Sequence, residues 1–249
     1  MKKILLASIM ALVSLSSMAL SNSKIREHAR FLSDRMAYEL DLSPMQYDDI
    51  YEINYDFIYS VNQIMDDVVR GYIDAVDKYY DYLDYRNDDL RFVMSHSQYS
   101  KFMRYEYFYR PIYVLRNDWQ FRIYSVYGNR SFFYFDRPSG YYSYVGAHNR
   151  RYYANGYYGN RYSAANRYAA NVRIRDSRDF DLYRRNDFGA NLRLRSEHQR
   201  DNHYNNANQH NRANDRRYRD NSKNVNSPSI NKRNQQPAPS GKVVRSGRG

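Results

Sequence analysis

Side chains able to do chemistry are present in this chain, but their spacing assembles no reaction centre. The six His stand at positions 28, 96, 148, 198, 203 and 210, and there is no Cys. His198, His203 and His210 match no standard zinc spacing, and no thiolate is available to complete a ligand set. No Gly-x-Ser-x-Gly elbow, Gly-rich phosphate loop or His-Glu-x-x-His helix occurs. Acidic pairs are frequent: Asp48 with Asp49, Asp66 with Asp67, Asp88 with Asp89. Neighbouring residues on a helix point in different directions, so these pairs read as a solvated face and not as an acid and its base. His28 reads as exposed on the first helix, and His96 as the first residue of a capped one. These residues predict a protein that is not an enzyme and uses no metal or cofactor. The aromatic residues offer a different chemistry, contact with a partner. There are 30 Tyr and a single Trp. Trp119, Phe121, Tyr141 and Tyr142 form a candidate binding face, with plain packing as the alternative.

The elements that would position these groups begin with a helix. In SKIREHARFLSDRMAYEL, Ile25, Ala29, Leu32, Met36 and Leu40 recur at three- and four-residue spacing, the stripe of an amphipathic helix. Asp41 and Leu42 interrupt it, and LSPMQY follows. There Ser43 is the N-cap, Pro44 the first helical residue and Gln46 the third, so the Ser hydroxyl and the Gln side chain satisfy each other's orphan N–H groups. Pro44 gives up an N–H that has no partner at that position. Leu42 and Tyr47 stand where a hydrophobic staple would. The same signal returns as MSHSQY, with Met94, Ser95, Gln98 and Tyr99 in the matching places. Replacing either Ser by Ala is expected to cost about 1 kcal/mol.

From the first cap, Ile50, Ile53, Phe57, Val61, Ile64, Val68, Tyr72, Val76, Tyr79 and Leu83 keep a helical period to about Tyr85, a rod of roughly 60 Å with Gly71 as its bend. RNDDLRFVM then reads as a short helix capped by Asn87, and the second box opens another that ends before Pro111. Residues 111–146 change to short aromatic and β-branched runs between turn signals, which predicts two hairpins. From Ala147 apolar periodicity is lost. HNRRYY, GNRYS and ANRYA form a loose Asn-Arg-Tyr repeat, and so polar a segment reads as disordered.

Charge follows the same division. Residues 147–249 carry 22 Lys/Arg against 8 Asp/Glu, and the rest of the chain 17 against 19. The N-terminus, with Lys2 and Lys3 before ILLASIMALV and then SLSSMAL, reads as a signal peptide cleaved after Ala19. No later segment reaches the ~18 uncharged apolar residues of a membrane-spanning helix. The expected protein is mainly α: a signal peptide at 1–19, an antiparallel helical hairpin or bundle at 20–110, a β-hairpin appendage at 111–146 and a disordered basic tail at 147–249.

LSPMQ and MSHSQ resemble the Leu-Thr-x-x-Gln repeats of the periplasmic Spy/CpxP family, over roughly residues 24–110. The resemblance carries Leu42, Ser43, Gln46, Met94, Ser95 and Gln98 as structural residues of the repeat. It implies an all-helical protein, a curved antiparallel homodimer and an ATP-independent chaperone or envelope-stress modulator, whose partners are unfolded envelope proteins. The alternative is a structural or adhesive envelope protein, periplasmic or at the cell surface, whose basic tail binds an anionic polymer such as lipopolysaccharide. Export argues against nucleic acid as the physiological partner.

Overall fold

The computed structural model describes residues 20–163, 165, 167–170 and 173–189. The expected signal peptide, the tail beyond residue 189 and with it His198, His203 and His210 lie outside the described residues. The described chain is mainly helical, with one small antiparallel sheet. Helix α1 (Asn22–Leu40) starts at Ser21, whose hydroxyl accepts the Lys24 N–H, and buries the expected stripe. It stops at Asp41, which takes a left-handed φ of 53° and donates its N–H to the Ala37 carbonyl. Both sequence-read boxes form, Ser43 with Gln46 opening α2 (Pro44–Asn62) and Ser95 with Gln98 opening α5 (His96–Arg104).

The long rod is broken twice. Between α2 and the next helices the chain leaves helical geometry at Gln63–Ile64 and again at Arg70–Tyr72, giving α3 (Met65–Val69) and α4 (Ile73–Val93). Gly71 is a stop and not a bend: its φ is +82°, and the Tyr72 N–H closes onto the Asp67 carbonyl at 3.0 Å. The apolar period continues across the breaks because Val61, Met65, Val68, Val76 and Tyr79 all serve one core. Asn87 caps nothing. It is buried inside α4, where its Oδ1 accepts from Arg86 and its amide donates to the Tyr109 carbonyl. The single helix expected from the second box is broken at Tyr105, where α5 gives way to α6 (Glu106–Tyr109), and the helical run ends before Pro111 as expected.

Side-chain bonds fix how the long helices lie. Asn62 holds the backbone of Leu20 while Asn54 donates to Ser33 at 2.8 Å, so α1 and α2 run in opposite directions. Arg86 donates to Asn54 at 2.8 Å and Gln46 to the Val93 carbonyl at 2.9 Å, so α4 also runs opposite to α2.

One hairpin forms where two were expected. Strands β1 (Ile112–Leu115) and β2 (Asp118–Phe121) pair antiparallel around Arg116 and Asn117, both with positive φ as a type I′ turn requires. Helix α7 (Ile123–Val126) follows. Residues 127–146 then cross the body as turns. Their backbone donors go to side chains instead of a second ladder: the N–H groups of Tyr134 and Phe135 to Asp34, and that of Ser139 to Asp48. This segment is no separate appendage, because Ile112, Phe121, Ile123 and Tyr144 are buried in the same core as the helices.

The expectation of disorder from residue 147 fails as far as residue 189. Tyr158, Ile174 and Phe188 reach that core, and a last helix, α8 (Phe180–Phe188), is tied to it by Asp187. The fully buried Asp187 meets Arg110 at 2.7 Å, Arg122 at 2.5 Å and the Tyr80 hydroxyl at 3.0 Å. Composition missed this because the anchors are ion pairs and Tyr rings in place of aliphatic residues.

Candidate functional site

The acidic residues of α2 and α4 are the ground on which the segment after Ala147 lies. Asp49, Asp56, Asp84 and Asp89 are buried, so the solvated-face reading is corrected for Asp49 and Asp89. The Asn-Arg-Tyr repeats supply partners for Asp49 and Asp89. Arg150 bridges Asp88 and Asp89 at 2.6 and 2.8 Å, Arg161 pairs with Asp49 at 2.7 Å, and Tyr162 donates to the same Asp49 oxygen at 2.7 Å. The Ile174 N–H reaches Asp84 at 2.6 Å. Burial pushes the Asp84 carboxyl up to about 6 in spite of that bond. Gly156, with φ +83°, is needed where this strap passes closest, since a Cβ there would stand 2.7 Å from Asp89 Oδ1.

Between the strap and the two helices lies a cleft of about 340 Å³, bordered by Asp56 and Tyr59 from α2, Tyr82, Tyr85 and Asp89 from α4, and Arg150. Asp56 accepts the Tyr144 hydroxyl at 2.8 Å through Oδ2. Burial pushes its carboxyl up to about 7, with the neighbouring charges of Glu52 and Asp89 acting in the same sense. Asp89 is pushed up to about 6 by burial, held back by Arg150. Arg86, also in the wall, is pushed down to about 9 by burial, and its hydrogen bonds go to Asn54, Asn87, the Phe108 carbonyl and the Met36 sulfur, all uncharged. Beside the cleft, His148 stacks on Tyr157 at 3.6 Å and places Nδ1 2.7 Å from Glu52 Oε2, which also accepts from Tyr158. The cleft thus offers hydrogen bonds from groups that protonate near neutrality, together with exposed ring faces.

The residues singled out in the sequence fall elsewhere. The two repeats meet: the Gln46 amide donates to Gln98 Oε1 at 2.9 Å, and each Gln also donates to the carbonyl two residues before the other's cap, Gln46 to Val93 and Gln98 to Asp41. One chain carries the signal twice because each copy completes the other. Trp119 and Phe121 pack together, as do Tyr141 and Tyr142, and no ring contact joins the two pairs among the described residues. Phe121 is buried against His28, stacked at 4.5 Å, whereas Tyr142 is 69% exposed. His28 is half-buried and not exposed as expected; its ring is pushed down to about 4 by burial and lies 2.5 Å from the Tyr124 hydroxyl. No His, Asp and Glu cluster among the described residues is arranged to hold a metal ion. No described helix is long and apolar enough to cross a membrane.

A different aromatic surface is present that the sequence reading missed. Phe132, Tyr134 and Phe135 lie exposed along α1 beside Tyr38, which stacks on Tyr134 at 3.7 Å. Asp34 holds the backbone of this strip, and Arg35, paired with Asp34, donates to the Phe132 carbonyl. The signal was the run SFFYF, in which consecutive rings cannot all face inward. No protein-family model matches the chain, and no curated protein and no solved structure is significantly similar to it.

Proposed function

We propose that this chain is an exported, non-enzymatic envelope protein that shields unfolded polypeptides without nucleotide, as a chaperone or stress modulator similar to the Spy/CpxP family. The observation that carries the reading is the aromatic strip. Tyr38, Phe132, Tyr134 and Phe135 are 53, 49, 38 and 42% exposed, yet the backbone at Tyr134 and Phe135 is fixed by the buried Asp34 carboxylate and that at Phe132 by Arg35. Rings held outward by a polar anchor offer a standing surface for apolar segments of a client. In this reading α1, α2 and α4 form an antiparallel helical bundle, and the paired repeats lock its ends so that the strip keeps its shape. The test is light scattering of an unfolding client with the full mature chain, without ATP. The wild type suppresses aggregation, and the double variant Phe132→Ser, Phe135→Ser loses most of the effect while its melting temperature holds. A wild type that suppresses nothing overturns the proposal.

A second reading, polymer binding by basic sequence, is favoured by one count. Arg150, Arg161 and Arg175 of the strap are already paired with carboxylates, but residues 190–249 carry 13 Lys/Arg against 4 Asp/Glu. Salt-sensitive retention of the full chain on heparin, lost on truncation after Gly189, is the expected result; unchanged retention refutes it.

A further inference from the structure

The cleft between α2, α4 and the strap is independent of the aromatic strip, and nothing in the fold uses it. Asp56 in its wall is 8% exposed, and its Oδ1 has no hydrogen-bond partner. A buried carboxyl oxygen left without a partner is a cost, and a shift of the carboxyl away from Gly146 toward the cleft would let an incoming hydroxyl or N–H remove it. Three rings, Tyr59, Tyr82 and Tyr85, border the same space, and Tyr85 is 43% exposed.

Charge decides among ligands. Arg86, Arg150 and Arg151 line the cleft with only Asp56 and Asp89 against them. Arg150 and Asp89 neutralise each other, Arg86 has only uncharged partners, and Arg151 forms no ion pair among the described residues. A guanidinium or ammonium ligand would meet this surplus of positive charge, and a compact anion would be left to Arg151 alone, because Arg86 is buried and already donates to four partners. A neutral polyol suffers neither penalty. Its hydroxyls donate to Asp56 and accept from Arg151 or Gln63, while its C–H face lies on a Tyr ring. A volume of about 340 Å³ sits at the small end of ligand sites, which run from roughly 300 to 1,000 Å³.

We infer that this cleft is a saccharide site that takes a neutral hexopyranose unit, either free in a short oligosaccharide or as part of a glycan. Calorimetry on the full chain with maltotriose and with chitotriose tests it, with methylguanidinium chloride and inorganic phosphate as the competing chemistries. One trisaccharide binds. Tyr85→Ala weakens that binding about tenfold, the loss of one stacked ring. Asp56→Asn, which keeps an acceptor for the Tyr144 hydroxyl, weakens it by a similar factor while the melting transition stays cooperative. Co-sedimentation with amylose and with chitin separates the two sources: retention on the polymer places internal units in the cleft, and binding of the trisaccharide alone places free sugars or chain ends there. The inference is overturned if neither trisaccharide binds at millimolar concentration, if both variants bind as the wild type does, or if methylguanidinium or phosphate binds more tightly than either sugar.

Discussion

Gln46 and Gln98 each close a helix start and then reach across to the opposite repeat, so the loss of one is felt by the other. Gln46→Ala and Gln98→Ala are each expected to lower stability by about 1–2 kcal/mol. The double variant should fall short of their sum by about 0.5–1 kcal/mol in urea denaturation. Strict additivity would mean that the two caps act separately. Asp56 makes a prediction in pH. Asp56, Asp84 and Asp89 keep their protons in the folded chain up to about 7, 6 and 6, whereas unfolded carboxyls release theirs near ~4. The folded state binds more protons in that window, so these groups lower stability as pH rises through it. His28 has the opposite sign: the unfolded ring protonates below ~6.5 and the folded one only near about 4, so its contribution is lost as pH falls between those values. Asp56→Asn should therefore raise stability at pH ~8 by about 1–3 kcal/mol and change little at pH ~4. Thermal melts across that range check it, and an equal shift at both ends would show that Asp56 does not titrate there.

The strap and α8 behave as parts of the helical body, although the sequence around Gly146 reads as its edge. A chain ending at Gly146 lacks Tyr158, Ile174, Asp187 and Phe188 and is expected to show no cooperative urea transition, whereas one ending at Gly189 unfolds as the full chain does. Asp187→Ala leaves Arg110 and Arg122 with only the half-exposed Glu106 to share and should cost about 3 kcal/mol, the low end for a broken buried pair. A Gly146 chain that unfolds cooperatively would place the core in the helices alone. The reasons these features were or were not legible are physical. The caps and the α1 stripe could be read because they depend on residues three and four apart. The stops at Gln63–Ile64 and Gly71 could not, because the apolar period stays in phase across them. The strap and the cleft rest on pairs such as Asp49 with Arg161 and Asp89 with Arg150, far apart in sequence, which local pattern does not contain.

Charge is divided along the molecule so that the described body is almost neutral. Residues 20–146 carry 15 Lys/Arg against 19 Asp/Glu, residues 147–189 carry 9 against 4, and residues 190–249 carry 13 against 4. Self-neutralisation of the body leaves the last stretch as the source of the basic character. A mature chain ending at Gly189 is expected to pass a cation-exchange resin at neutral pH that retains the full mature chain; retention of both would mean that cations of the strap remain available. The position of the strap also sets an order of events. A ribosome delivers α1, α2 and α4 before residues 150–187 exist, so Asp49, Asp84, Asp89, Arg110 and Tyr80 wait for counterparts not yet made. Until residues 150–174 have emerged, Asp49, Asp84 and Asp89 face water on the helices. The last part of the body to be synthesised is therefore an Arg-bearing ribbon that covers the carboxylates of α2 and α4.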